Sequence, residues 1–144
     1  MRSDILWALF LGSLFTIIFQ VGLVYLEGPV PYRNVVVEDV QEVDEGYIVT
    51  ANFVKTDCTF QRLEVFGVNT GVPIYLVWQP LDGSPSTDYD RSIGRQHMKI
   101  LANKQGWTFD TLEIRTRHDC DGVIVDRVFA SIRLSDWEDQ TGDL

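Results

Sequence analysis

The sequence predicts an all-β domain, an antiparallel sandwich of about seven strands, on a single N-terminal transmembrane helix. Residues 5–26 contain no charged side chain, whereas the later chain alternates apolar and polar residues in short runs. That part of the chain shows no long amphipathic helical pattern. We therefore expect five regions: a tail at 1–4, a transmembrane helix at 5–26, a linker at 27–34, a β-sandwich at 35–135 and an acidic tail at 136–144.

The overall charge of the chain excludes one class of partner. The 144 residues carry a formal net charge of −9, from 21 acidic and 12 basic side chains. Nucleic-acid binding needs clustered Lys and Arg, so nucleic acid is not expected as a main partner. The same acidity disfavours flat docking of the domain onto anionic lipid.

The apolar segment has the length of a membrane span. At about 1.5 Å per residue it reaches about 33 Å, which exceeds a hydrocarbon core of about 30 Å. Trp7 and Tyr25 stand near its two ends, where interfacial aromatic residues are favoured. A cleaved signal peptide is the alternative, but its apolar region would be shorter, and residues 25–29 offer no small-residue cleavage site. We therefore favour an uncleaved signal anchor.

The flanking charges predict which way the helix is oriented. Arg2 and the α-amino group stand on one side and Arg33 on the other, a small bias toward a cytoplasmic N-terminus. The C-terminal domain is then exoplasmic, meaning periplasmic if the cell is bacterial.

One face of the predicted helix is a candidate helix–helix contact. Small or hydrogen-bonding residues recur every fourth position, at Ala8, Gly12, Thr16 and Gln20. Such residues allow a second helix to approach closely and to hydrogen-bond across the contact. The alternative is that they are ordinary residues of a single span.

The strands are predicted from the alternation of apolar and polar residues. We expect them at 34–43, at 47–53, around 63–65 and at 72–78, and a last strand with Val128, Ala130, Ile132 and Leu134 facing inward. Residues 97–103 fit either a helical turn or a short strand. The apolar positions change phase near Asp110, which indicates a bulge or two separate strands.

Two cysteines, Cys58 and Cys120, are the only ones in the chain. An even pair in an exported domain is most simply a disulfide. Two free buried thiols are an alternative, and so is metal ligation together with His118.

The order Cys58, Trp78, Cys120 and the number of strands resemble the immunoglobulin-like or fibronectin-type-III-like sandwich over residues 33–135. In immunoglobulin domains a tyrosine stands two residues before the second cysteine, where this chain has His118. The resemblance implies the fold class only and no functional residue.

No catalytic constellation is visible, so we expect a protein that is not an enzyme and has no cofactor, metal or catalytic residue. His97 and His118 are the only imidazoles, and no nucleophile motif accompanies either. We expect both to be surface residues. Calcium at Asp82, Asp88 and Asp90 is a weaker alternative, because the EF-hand spacing is not met.

The segment from Pro80 to Arg95 is the longest irregular stretch. Its Tyr89, Arg91 and Arg95 form a candidate partner-binding loop, since Tyr and Arg on long loops are frequent contact residues. A loop without such a role is the alternative.

These features together predict a non-catalytic, single-pass membrane protein that acts as a structural, accessory or assembly subunit of a larger complex. Its expected partners are the lipid bilayer and, through the helix, other membrane proteins or a second copy of itself. The alternative is a membrane-anchored adhesion or ligand-binding module that recognises its ligand with the loop at 80–95.

Overall fold

The computed structural model describes residues 12–14, 16–18, 28–81 and 92–138. The chain divides into two compact units, Met1–Val30 and Pro31–Leu144. In the first unit, residues 12–14 and 16–18 are helical, and the rest of the predicted span lies outside the described residues. Among the residues described, no helix has the length and apolar character needed to cross a bilayer.

The second unit is built from eight strands, and a helical turn at Ser135–Glu138 follows them. The strands are β1 (Tyr32–Val43), β2 (Gly46–Lys55), β3 (Thr59–Asn69), β4 (Val72–Leu76), β5 (Trp78–Pro80), β6 (Gly94–Asn103), β7 (Thr111–Cys120) and β8 (Val123–Arg133).

The strands form two four-stranded antiparallel sheets. The first sheet has the order β1-β2-β6-β5 and the second has the order β4-β3-β7-β8. The all-β sandwich predicted from the sequence is thus confirmed, with eight strands in place of about seven.

The core lies between the two sheets and follows from the alternation of side chains along each strand. Val49 and Ala51 of β2 and Val65 of β3 are fully buried, as are Leu112 and Ile114 of β7. Each large aliphatic side chain removed from water in this way stabilises the fold by roughly 1.5–3 kcal/mol.

The first strand begins earlier than the sequence indicates, inside the stretch assigned to the linker. Tyr32 already pairs with Lys55, and the Thr56 amide donates a hydrogen bond to the Pro31 carbonyl at 3.1 Å. Pairing can begin there because proline lacks only an amide donor and keeps its carbonyl acceptor.

The apolar run at 72–78 is two strands and not one. It forms β4 in the second sheet and β5 in the first, with Val77 between them. The Trp78 indole nitrogen still donates to the Leu63 carbonyl on β3, at 3.1 Å. The alternating pattern is the same in either sheet, so it does not reveal the crossing.

A bulge on β8 reverses the expected orientation of one valine. Ile114 pairs with Ala130 and Arg115 with Val128, so Phe129 is an extra residue on β8. Phe129 is buried, whereas Val128 is 53% exposed, contrary to the inward position predicted for it. An extra residue in a strand shifts the period of two by one position, and this moves Val128 to the outer face.

Two open points of the sequence are settled in the fold. Residues 97–103 belong to strand β6, and residues 107–110 form a loop before β7. Both predicted alternatives, a bulge or two separate strands, are wrong. The change of phase near Asp110 is the boundary between a loop and β7, and the buried Phe109 packs into the core from that loop.

Candidate functional site

Three neighbouring strands of the first sheet meet at one end of the sandwich, where β1 begins. Tyr32 on β1 pairs with Lys55 at the end of β2, and Lys55 pairs with Gly94 at the start of β6. In the second sheet, Thr59, Asp119 and Ile124 form the corresponding row. We call this the entry end; the opposite end, which carries the β1–β2 and β3–β4 turns, is the far end.

Three connections lie at the entry end. They are the β2–β3 loop at 56–58, the β7–β8 turn at 121–122 and the end of the long loop that returns at Gly94. The turn has positive φ at both of its residues, 54° at Asp121 and 83° at Gly122, which suits a tight hairpin. The Asp119 carboxylate accepts a hydrogen bond from the Gly122 amide at 2.7 Å and so supports the turn.

A group of polar side chains lies inside the sandwich at this end, and we call it the buried polar cluster: Tyr32, Lys55, Thr116 and His118. His118 is 3% exposed, Thr116 5% and Lys55 7%. The cluster arises because the inward positions of β7 continue past Ile114 to two polar residues. Lys55 and Tyr32 enter from the facing sheet.

Several atoms of the buried polar cluster have no hydrogen-bond partner among the described residues. They are both imidazole nitrogens of His118, the Tyr32 hydroxyl and the Thr116 hydroxyl. Buried polar atoms are usually satisfied by protein groups or by ordered water. The cluster therefore has the composition of a small internal hydration site.

The surroundings of the cluster shift the pKa values of His118 and Tyr32. Burial lowers the pKa of His118 from 6.5 to about 4, and the positive charge of Lys55 lowers it further in the same direction. Burial also raises the pKa of the Tyr32 phenol, which the nearby Thr116 hydroxyl and the Arg127 charge partly offset. At neutral pH the imidazole and the phenol are both uncharged.

Aromatic rings enclose the cluster. The His118 ring centroid lies 5.6 Å from that of Tyr32 and 5.5 Å from that of Phe60. The Phe129 ring contacts Tyr32 and Phe53, each at 5.1 Å.

The expectation that both histidines are surface residues is wrong for His118, which is 3% exposed, while His97 is exposed on β6. The sequence could have indicated that His118 is buried. Side chains alternate along β7, and His118 lies an even number of residues from the inward-facing Ile114 and Cys120.

The two cysteines are bonded, as predicted, with an S–S distance of 2.03 Å. Cys58 precedes β3 and Cys120 ends β7, so the disulfide joins neighbouring strands of the second sheet at the entry end. The disulfide removes Cys120 as a metal ligand beside His118. No three His, Cys, Asp or Glu side chains are grouped to hold a metal ion in the described ranges.

Arg95 alone of the predicted partner-binding residues is described, and it lies exposed on β6 beside Gly94. Tyr89 and Arg91 lie outside the described residues, as do the candidate calcium ligands Asp82, Asp88 and Asp90.

Two of the four predicted helix-contact residues are described. Gly12 and Thr16 are both helical and exposed, and the Thr16 hydroxyl donates to the Gly12 carbonyl at 2.9 Å. A Cβ atom added at Gly12 would meet nothing within 4 Å. Ala8 and Gln20 lie outside the described residues.

The outer face of the second sheet carries paired charges that the sequence analysis did not single out. Arg117 donates two hydrogen bonds to the Asp126 carboxylate, at 2.7 and 2.9 Å. Arg115 pairs with Glu113 and stacks over the Phe66 ring, 4.8 Å from its centroid. These arginines face solvent with their acidic partners, which is the arrangement of a solvated sheet surface.

No protein-family model, curated protein or solved structure matches this chain.

Proposed function

We propose that this chain is a non-catalytic, single-pass membrane protein whose immunoglobulin-like sandwich is an accessory or assembly subunit of a membrane complex. The strand order supports the finer fold assignment. Strands 1, 2, 6 and 5 face strands 4, 3, 7 and 8, an order like that of immunoglobulin sandwiches, in which sheet ABED faces sheet CFG. The disulfide differs, because it joins neighbours within one sheet.

The proposal rests on one observation: Tyr32 and Gly94 lie at the same end of the first sheet, on either side of Lys55. The chain enters the sandwich at Tyr32, and the loop containing the predicted partner-binding residues rejoins it at Gly94. Five residues, 27–31, separate the predicted span from β1 and reach at most about 17 Å when extended. The entry end, where the chain returns at Gly94, is therefore held near the membrane surface.

This position favours an assembly subunit over an adhesion module. A ligand approaching from outside the membrane first meets the far end of the sandwich, where the β1–β2 and β3–β4 turns lie. The entry end, near the bilayer, is better placed to contact the juxtamembrane part of a neighbouring membrane protein. The adhesion module, with the 80–95 loop as its ligand-binding surface, remains the second candidate.

The first experiment is to extract the full-length protein from its native membrane in a mild detergent and to measure the mass of the particle that contains it. We expect a particle much heavier than 16.5 kDa plus detergent, with other polypeptides in fixed ratio. A monomer or a bare dimer would contradict the subunit proposal.

Two variants then separate the candidates. Replacing residues 5–26 with an unrelated apolar span should release the partners if the helix governs assembly, and Gly12→Ile should weaken the complex in the same way. Ile17→Leu, also exposed in the helix, is the matched control and should assemble normally. If the replaced helix is tolerated while Tyr89→Ala with Arg91→Ala abolishes partner capture, the loop-based module is supported instead.

A further inference from the structure

We propose that the entry end of the sandwich seats directly on the lipid headgroup region, with Arg33 and Arg95 at the phosphates and Ile93, Val123 and Ile124 in contact with the interface. This inference rests on the proposed membrane anchoring and adds a second membrane contact to it.

The entry end exposes a group of large aliphatic side chains. Ile93 is 68% exposed, Val123 53% and Ile124 51%. Ile93 directly precedes Gly94 in the first sheet, and Val123 and Ile124 open β8 in the second, so the apolar group includes both sheets. Exposed apolar groups of this kind are typical of interaction sites, and the bilayer interface accepts aliphatic side chains without a shaped pocket.

Two arginines of the first sheet lie one row inside the entry end. Arg33 on β1 and Arg95 on β6 pair with opposite sides of Val54 on β2, so two strand spacings, about 10 Å, separate their backbones. Both are exposed. No ion pair joins either to another described residue, in contrast to Arg62, Arg115 and Arg117. Unpaired guanidinium groups are well suited to bind phosphate oxygens.

Among the described residues, the entry end is less acidic than the far end, as a contact with phospholipid requires. At the entry end, the acids Asp57, Asp119 and Asp121 exceed the exposed bases Arg33 and Arg95 by one, because Lys55 is buried. At the far end, acids outnumber bases; they are Glu42, Asp44, Glu45, Asp110 and Asp136 against Lys104 and Arg133. An acidic protein approaches phospholipid more readily through its less acidic end than through its more acidic end.

The short linker limits how far the entry end can lie from the bilayer. With five residues between the predicted span and β1, the entry end lies within about 17 Å of the end of the hydrocarbon core. The headgroup region on each side is about 5–8 Å thick. The entry end can therefore contact the headgroups.

The test uses the full-length protein in phosphatidylcholine nanodiscs, with a single added cysteine labelled with an environment-sensitive fluorophore. The two native cysteines are bonded to each other, so the added thiol is the reactive one. Ile124→Cys and Ile93→Cys probe the entry end. Val72→Cys is the matched control, because Val72 is an equally exposed aliphatic residue at the far end, paired with Asn69.

We expect brominated lipid to quench the label at Ile124 and Ile93 severalfold more than the label at Val72, and iodide in the buffer to show the reverse order. Adding Arg33→Gln and Arg95→Gln should reduce the lipid quenching at Ile124 severalfold, whereas Arg133→Gln at the far end should leave it unchanged.

The two proposals fail in distinguishable ways. A chain that does not enter the nanodiscs overturns the membrane anchor and this inference with it. A chain that enters the nanodiscs but shows equal quenching at Ile124 and Val72 overturns the headgroup contact alone. Unequal quenching that survives the double arginine substitution overturns the assigned role of the phosphates.

Discussion

The Tyr32 ring packs against the His118 imidazole, with 5.6 Å between the ring centroids. This contact joins the first residue of β1 in one sheet to an inward residue of β7 in the other. It lies where the chain enters the sandwich, and one of its members changes charge between neutral and acidic pH. The stability of the entry end is therefore linked to pH.

The free energy of unfolding should fall as the pH is lowered through the range set by His118. Its pKa is about 4 in the folded protein and about 6.5 when unfolded, so the unfolded state binds the extra proton between these values. The stabilisation is complete above pH 6.5, declines as the pH falls and is lost by about pH 4. The total change is about 3 kcal/mol.

Urea unfolding at several pH values measures this effect. His118→Leu should flatten the profile between pH 6.5 and 4, whereas His97→Leu, at the exposed imidazole on β6, should leave the profile unchanged. An identical slope in wild type and His118→Leu would show that His118 does not control it. If His118→Leu does not fold, an NMR titration of the wild-type imidazoles gives the same answer, and a normal pKa at His118 would contradict the prediction.

Replacing Lys55 should raise the pKa of His118. The Lys55 ammonium adds to the effect of burial by disfavouring a second positive charge beside it. In Lys55→Met the apolar stem is kept and the charge is removed, so we expect the pKa of His118 to rise from about 4 toward, but not to, 6.5. The imidazole proton shifts in NMR measure it, and Lys99→Met, which alters an exposed lysine on β6, should have no effect.

Loss of the disulfide should destabilise the sandwich by about 4 kcal/mol on the chain-entropy model, because Cys58 and Cys120 are 62 residues apart in sequence. Cys58→Ala with Cys120→Ala should lower the thermal midpoint, and a reductant should lower it in the wild type only. A reductant that destabilises the double variant equally would show that the loss has another cause.

Gly67 is required by the packing of Phe109. A Cβ atom at Gly67 on β3 would overlap the Phe109 ring, so Gly67→Ala should cost roughly 1–3 kcal/mol through overpacking. A smaller partner should relieve the overlap, and in a double-mutant cycle Gly67→Ala with Phe109→Leu should cost less than the sum of the single variants. Strict additivity, measured by urea unfolding, would rule out a direct contact as the cause.

Alternation of apolar and polar residues predicted most of the sandwich. The strands around Val49, Leu63 and Ile132 were identified from local pattern alone, since a period of two sets which side chains are buried wherever the strand is placed. The pairing of Cys58 with Cys120 was predicted by composition and the expected exported location. Local pattern predicts the wrong orientation for Val128. The single extra residue at Phe129 reverses the alternation, and nothing in the sequence marks this bulge.

The composition by itself determined an acidic, two-cysteine β domain and an uncharged apolar segment ahead of it, since these properties need no knowledge of which strands meet. Only the tertiary structure decided that residues 72–78 divide between two sheets, that His118 is buried against Tyr32, and that Tyr32, Lys55 and Gly94 share one row. Lys55 and Gly94 are 39 positions apart and Tyr32 and His118 are 86 apart, so their contacts depend on the packing of whole sheets, and no local pattern encodes them. That long-range pairing brings the chain entry at Tyr32, the start of β6 at Gly94 and the exposed Val123 and Ile124 of β8 to the same end of the domain.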